Sequence, residues 1–254
     1  MLDYDREAAC YDETRGGGAR ADAAVEAIER LLPPGGRVVV DVACGTGIVT
    51  GRLRRPGRHV AGVDRAAGMA GVAAARLPGG VVLGDAARLP VQDGSVDAVT
   101  MIWLLHLLDP AACAAVLAEA ARVLRPGGVL ITTVDKNDAA YHTGGDTSDL
   151  LRPVRDRHAP AQSDALGRVL EVCSGLGVAM AGRTTFAGLG QGRSPRMWCE
   201  LIHESWWAPR VDPATLAELG RRLGELPDQD RPRADPVYTL VALVKQGTSG
   251  HGTG

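Results

Sequence analysis

Apolar residues recur at helical spacing early in the chain. Across residues 20–32 (RADAAVEAIERLL), Ala24, Val25, Ile28, Leu31 and Leu32 share one face. Pro33, Pro34, Gly35 and Gly36 end that helix. Val38, Val39 and Val40 then form a short unbroken apolar run, which suits a parallel strand buried on both faces. It leads into Asp41-Val42-Ala43-Cys44-Gly45-Thr46-Gly47, a glycine-rich turn, and the spacing predicts a helix over 48–55. The alternation repeats with a strand over 59–63 ending in Asp64, a helix over 69–77 and a strand over 81–83 ending near Asp85. A strand over 96–102, a helix over 111–124 closed by Arg125-Pro126-Gly127-Gly128, and a fifth strand over 129–134 follow. Strands alternating with helices imply right-handed crossovers and a doubly wound, mostly parallel α/β sheet.

Beyond Val134 the pattern loosens. Residues 135–160 are polar, with Gly144-Gly145 and two prolines, and predict a loop or lid. A helix is expected over 165–173, a strand over 178–186, a helix over 213–226 and a final strand over 238–244. The closing GTSGHGTG has no apolar content and is expected to be a disordered tail. With no internal repeat and no second-domain boundary, the expected organisation is one domain over 1–246. Within it, 1–35 form an N-terminal helical lid and 135–232 supply insertions that shape an acceptor site; 247–254 are the tail.

Composition narrows the partners. Among 254 residues, 45% are apolar and 23% charged, ordinary for a soluble globular chain. A formal net charge of -2 offers no basic excess and argues against a nucleic-acid substrate. Aromatics are only 4%, with one Phe, so the core must rest on Ala, Val and Leu. Cys10, Cys44, Cys113, Cys173 and Cys199 are scattered and form no C-x-x-C pair; reduced thiols in a cytoplasm are expected. The N-terminus is acidic and has no apolar signal core. The longest apolar run, 99–108, is interrupted by His106 and is too short to span a bilayer, so no membrane partner is expected.

The chemistry lies in the loops after the first three strands. In an open α/β sheet, ligands bind outside the carboxyl ends of the strands. Gly45-Thr46-Gly47 lets backbone approach a ligand closely, and Asp41 just before it can accept from an ammonium. The run is not G-x-G-x-x-G, because Ala43 and Thr50 stand where the outer glycines would be, which disfavours a dinucleotide pyrophosphate. Asp64 can take both ribose hydroxyls, or serve as a helix cap or a solvated loop residue. Met69 can pack on an adenine face or in the core. Asp85 can accept from an exocyclic amine while the Ala86 N–H donates to a ring nitrogen.

DVACGTG, VDRAAGM, GDAARLPVQDGSVDAV and RVLRPGG resemble the successive motifs of class I S-adenosylmethionine methyltransferases, over roughly residues 36–134. The opening segment with Tyr4, Tyr11-Asp12 and Arg15 is similar to a signature of small-molecule members. The resemblance implies a Rossmann-like, seven-stranded, mostly parallel sheet with an antiparallel last strand, and S-adenosylmethionine as cofactor. It implies that the loop of Ala43, Gly45 and Gly47 faces the methionine portion with Asp41 near its amino group. Asp64 and Arg65 would lie at the ribose, Asp85 and Ala86 at the adenine. Ile102 and Trp103 would line the transferable methyl, and Tyr11 would close over the cofactor. Arg15 would meet its carboxylate or form a surface ion pair.

Methyl transfer from a sulfonium needs mainly alignment, and a base only if the acceptor must lose a proton. Three residues are candidates on the acceptor side. His106 lies just beyond the fourth strand, and Tyr141 and His142 in the polar loop after the fifth. His203 with Trp206 and Trp207 can wall an apolar acceptor or pack. Asp135, Asn137 and Asp138 lack convincing metal-ligand spacing, and no metal is expected. The expected activity is methylation of an O, N or C atom of a small molecule, with the oligomeric state left open to a homodimer. The richness in Ala, Gly and Arg suggests a GC-rich genome and fits bacterial secondary metabolism. A nicotinamide-dependent oxidoreductase and a non-catalytic cofactor-binding protein are the alternatives.

Overall fold

The computed structural model describes residues 3–247, so the tail expected at 247–254 lies outside the described residues from 248 onward. Two short helices, α1 (Tyr4–Glu7) and α2 (Tyr11–Thr14), precede the amphipathic α3 (Gly17–Leu31). The strand β1 (Val38–Val42), then β2 (His59–Asp64), α4 (Ala67–Arg76) and β3 (Val81–Leu83) follow. Next come β4 (Val96–Met101), α5 (Pro110–Val123) and β5 (Leu124–Val134). The second half holds α6 (Asp146–His158), α7 (Leu166–Gly175), β6 (Val178–Ala187), α8 (Pro195–Leu201), α9 (Pro213–Gly224) and β7 (Val237–Lys245).

The seven strands form one sheet in the order β3-β2-β1-β4-β5-β7-β6. The first five are parallel, and β7 enters between β5 and β6, antiparallel to both. The doubly wound sheet with an antiparallel last strand is therefore present. Side-chain alternation splits the core across it. Val39, Ala98, Ile131, Leu240 and Ala242 pack with Ala24, Val25 and Ile28 of α3 on one face. Val40, Val42, Leu130, Val241 and Leu243 pack on the other, with Val116, Leu117 and Ala120 of α5 and Val169 and Cys173 of α7. Burial on both faces explains why these strands read as unbroken apolar runs.

Two local expectations are corrected. The helix expected at 48–55 is only a 3-10 turn, Thr50–Leu53. Arg54 is already extended, because Pro56 and Gly57 demand a reversal into β2 so soon after Gly47 that no second helical turn fits. The loop expected at 135–160 contains α6, whose polar surface and internal Pro153 hid it from the periodicity. Its buried face is short, carried by Thr147, Ser148 and Leu151. Helix α8 was also not anticipated; Ser194 caps it, accepting from the Met197 N–H at 3.3 Å, and Pro195 opens it.

Together with α9, these elements build a third apolar cluster, separate from the sheet, around Tyr141, Leu151, Trp198, Ile202, Trp207, Leu219 and Leu223. Among the described residues no helix is long and apolar enough to cross a membrane.

Candidate active site

The carboxyl ends of β1–β4 open into a cleft of about 710 Å³, a size typical of small-molecule sites. Asp41, Ala43, Gly45, Asp64, Arg65, Met69, Asp85, Ala86, Ile102, Trp103, Tyr11 and His106 all line it. The parallel register brings them together: Asp41 pairs with Gly62 of β2 and Thr100 of β4, and Asp64 with Leu83 of β3.

Each carboxylate has a distinct environment. Asp41 is 3% exposed and accepts from the Thr50 hydroxyl at 2.5 Å and the Thr100 hydroxyl at 2.7 Å. Burial raises its carboxyl to about 6; the two threonine hydroxyls pull the other way, and the neighbouring Asp64 charge adds to the rise. Asp64 accepts the Gly45 N–H at 2.8 Å on one oxygen and the Ala66 N–H at 2.9 Å on the other. Each oxygen keeps a further lone pair for a ligand hydroxyl. Asp85 is exposed at the rim, where its side chain accepts the Ala87 N–H at 2.9 Å in a tight turn.

The two turn glycines do different jobs. A Cβ on Gly45 (φ 56°) would meet nothing within 4 Å. Gly45 is thus the point where backbone lies open to the cleft. Gly47 (φ 72°) does not line the cleft; a Cβ there would sit 3.0 Å from both Ala73 Cβ and Leu77 Cδ1. It lets the turn pack against α4, so its expected place at the ligand is corrected. Ala43 (φ 57°), Trp103 (φ 62°) and Asp135 (φ 50°) are non-glycine residues in the left-handed region, one or two residues past β1, β4 and β5. Such backbone costs on the order of 1–3 kcal/mol and gathers at functional edges.

The N-terminal helices form a strap over this edge. Asp12 accepts from the Thr46 hydroxyl at 2.6 Å and from Arg76 at 2.7 Å, while Asp5 accepts the Gly68 N–H at 2.7 Å. Tyr4 joins Tyr11 on the cleft wall, their ring centroids 6.1 Å apart. Tyr4 was not among the expected site residues. Its spacing from Tyr11 in a short acidic lead was the available signal. Arg15 is exposed and lies 5.6 Å from the Tyr11 ring centroid, outside the cleft lining.

On the acceptor side the three candidates separate. His106 lines the cleft in a short 3-10 turn, its Nδ1 buried without a protein partner. Burial, with smaller contributions from the Lys136 and Arg20 charges, lowers its imidazole to about 2, so it is neutral at physiological pH. Tyr141 is corrected. It is 4% exposed inside the third apolar cluster, where its hydroxyl accepts from Trp207 Nε1 at 3.0 Å. Its hydrophobic ring is worth more to that core than in a polar loop. His142 is exposed, with Nδ1 2.9 Å from the Asp138 carbonyl, and does not reach the cleft. Trp207 is fully buried, so it packs rather than walls an acceptor. Among the described residues no group of three His, Cys, Asp or Glu side chains is placed to hold a metal ion.

Residues 40–132 match a family model described as a methyltransferase domain. An uncharacterized methyltransferase of Mycobacterium tuberculosis is 40% identical over 137 residues, 52% of this chain and 55% of that protein. A demethylmenaquinone methyltransferase of Beutenbergia cavernae is 44% identical over 99 residues, 39% of this chain and 40% of that protein. The chain thus spans about half the length of the curated relatives it matches.

Among solved structures, the 4+2 cyclase SpnF superposes with a TM-score of 0.59 at 20% identity, over 96% of this chain and 94% of that one. Geranyl diphosphate C-methyltransferase from Streptomyces coelicolor superposes with a TM-score of 0.52 at 16% identity, over 88% of this chain and 79% of that one. At such identities the likeness is one of fold. The sequence match over the cleft-bearing strands favours a methyltransferase over the nicotinamide-oxidoreductase alternative. Residues 40–132 are thus similar to a methyltransferase domain, and the chain has the Rossmann-like fold that solved methyltransferases share.

Proposed function

We propose that this chain transfers a methyl group from S-adenosylmethionine to an oxygen, nitrogen or carbon atom of a small molecule. The observation that carries this reading is the ordered set of carboxylates, Asp41, Asp64 and Asp85, around one cleft at the strand ends. Their environments fit the three parts of the cofactor. Asp41 is a buried acid suited to an ammonium, Asp64 keeps free lone pairs for two ribose hydroxyls, and Asp85 stands at the rim beside Ala86 for an adenine edge. When bound, the cofactor supplies a methyl carbon on a sulfonium. The chain's part is to hold the acceptor in line with it and exclude water, which is where proximity contributes most. Ile102, Trp103 and Leu104 provide the apolar wall for that. His106 lines the same cleft with a buried ring nitrogen that has no protein partner; with its imidazole lowered to about 2 it is too weak a base to hold an acceptor proton, and its part is to position the acceptor by a hydrogen bond.

Calorimetry with S-adenosylhomocysteine and, separately, NAD tests this reading. One-to-one binding of the first with none of the second is expected. Mass spectrometry should then detect S-adenosylhomocysteine released from S-adenosylmethionine when a small-molecule acceptor is supplied. Binding of NAD alone would overturn the reading. Binding without release for any O, N or C acceptor in a broad panel would favour a non-methylating role, and the shared fold of the cyclase SpnF is the reason to include that outcome.

A pH dependence follows from Asp41. Its folded carboxyl sits near 6, above the usual aspartate value, so the ligand-free fold holds a proton there that the unfolded chain releases sooner. That group therefore lowers stability as pH rises from the usual value to about 6. An ammonium beside it favours the ionised form and expels the proton. Affinity for S-adenosylhomocysteine should thus rise about tenfold per pH unit up to about 6 and then level. Calorimetry in buffers of differing ionisation enthalpy reads the released proton, and Asp41→Asn should abolish the dependence.

A further inference from the structure

His106 sits in a cleft wall that is otherwise apolar. Past β4 the lining runs through Ile102, Leu104, Leu107, Leu108, Ala112 and Val116, together with Trp103, whose indole nitrogen is buried. The backbone that carries His106 is pinned. The Leu107 N–H donates to the Leu104 carbonyl at 3.0 Å, and the Leu108 N–H to the Leu105 carbonyl at 3.2 Å. The Ser163 hydroxyl donates to that same Leu105 carbonyl at 2.9 Å. Ser163 is held through its neighbour Asp164, which takes the Asp135 N–H on its carbonyl at 3.0 Å and the Lys136 N–H on its carboxylate at 2.8 Å. A histidine fixed in this way shows one ring edge to a ligand and hides the other.

The hidden edge is that of Nδ1, which is buried with no partner. Nε2 is not enclosed and makes no bond to any of the described residues, so it is the nitrogen that opens to the cleft. The ring is neutral, because burial holds it down at about 2, and a neutral imidazole carries one proton. On Nδ1 that proton would make a buried N–H with no acceptor, which folded proteins rarely tolerate and which costs on the order of 1–3 kcal/mol. It would join Arg20 Nε and Trp103 Nε1, two buried donors that already lack acceptors. Arg20 does not line the cleft; its guanidinium lies behind the wall, 3.6 Å from the Trp103 ring centroid. Its charge and that of Lys136 disfavour a further positive hydrogen there, while the Asp164 carboxylate acts on Lys136 and not on His106. A lone pair on Nδ1 is the arrangement matched to buried donors and cations. It leaves the N–H on Nε2, facing the cleft.

We propose that His106 is fixed as the Nε2–H tautomer and donates a hydrogen bond to the methyl acceptor, an apolar molecule that presents an oxygen lone pair, above all that of a carbonyl, to this wall. This rests on the methyltransferase reading above and deepens it by naming what the acceptor carries. One polar group in an apolar wall fixes the orientation of a ligand. A site built to hydrogen-bond a given group also rejects analogues that lack it, because its own polar atom is then left unpaired. Molecules that offer His106 only N–H or C–H groups are therefore excluded from this position.

Nitrogen NMR of the full chain, isotopically labelled at its histidine rings and saturated with S-adenosylhomocysteine, reads the tautomer directly. Among the six histidines, the signals lost in His106→Gln belong to His106. Its Nδ1 is expected where an unprotonated ring nitrogen resonates and its Nε2 where a protonated one does, unchanged across the pH range in which an ordinary histidine titrates. Calorimetry of the same complex with acetophenone and its oxygen-free isostere α-methylstyrene reads the consequence. The ketone should bind more tightly by up to about tenfold, the share of one hydrogen bond. His106→Gln keeps an amide N–H at similar reach and should preserve most of that preference, whereas His106→Leu should abolish it. A protonated Nδ1, or a ring that titrates near neutrality, overturns the proposal in the parent chain whatever the variants do. If S-adenosylhomocysteine binds and the ketone binds no better than the hydrocarbon, or not at all, the proposal falls while the methyltransferase reading stands. A preference that survives in His106→Leu assigns the contact to another residue and also overturns it. Failure of S-adenosylhomocysteine to bind removes the reading on which the proposal depends.

Discussion

Asp64→Ala is expected to weaken S-adenosylhomocysteine binding by about a hundredfold or more. Each hydrogen bond to a charged group contributes roughly 1.5–3 kcal/mol, and two ribose hydroxyls would converge on this one carboxylate. At about 1.4 kcal/mol per factor of ten, two such bonds reach that range. The substitution also removes the acceptor for the Gly45 and Ala66 N–H groups, which hold the first turn and the start of α4 in place. Thermal stability should therefore fall too, by only a few degrees, since both donors border an open cleft and can turn to water. Asp64→Asn separates the two effects. It keeps an oxygen for one backbone donor but loses the charge, so stability should recover more than affinity. Calorimetric affinity unchanged in Asp64→Ala would remove Asp64 from the site.

Trp207→Ala should produce the largest loss of stability, about 4 kcal/mol, the usual scale for emptying a buried tryptophan position. The indole is 0% exposed, meets Tyr141 edge-on with centroids 6.1 Å apart, and donates its N–H to the Tyr141 hydroxyl. Tyr141 in turn packs on Trp198 at 5.2 Å, so one truncation loosens two further aromatic side chains. For a chain of this size the loss corresponds to a fall in melting temperature of roughly 8–16 °C. Because this cluster is separate from the cleft-bearing strands, S-adenosylhomocysteine affinity well below the new melting temperature should change little. A melting temperature within about 2 °C of the parent would show that the cluster does not support the fold.

That second prediction could not have been written from the sequence. Tyr141 read as an acceptor-side candidate because it sits in a polar stretch after the fifth strand. Its burial depends on Trp207, separated from it by 66 residues. Nothing local marks such a partnership. The helix α6 was missed for a related reason: its apolar face is too short to generate a period, and it is stable only because the third cluster covers Leu151. In the other direction, the spacing predicts a helix over 48–55, and the need to reverse the chain into β2 overrode it.

The sequence by itself determined the succession of the strands along the chain, the loops that carry Asp41, Asp64 and Asp85, and the glycine turn after β1. These follow from period, turn chemistry and spacing, which are properties of neighbouring residues. Tertiary structure alone decided which glycine opens to the cleft and which packs against α4, because both have positive φ and differ only in what a Cβ would meet. It alone buried Asp41 between Thr50 and Thr100 and raised its carboxyl. It alone set the guanidinium of Arg20 3.6 Å from the ring centroid of Trp103, far along a chain of net charge -2. Charge in a sequence is a sum over residues. The field at a site depends on which of those charges folding places within a few ångströms and how little water it leaves between them.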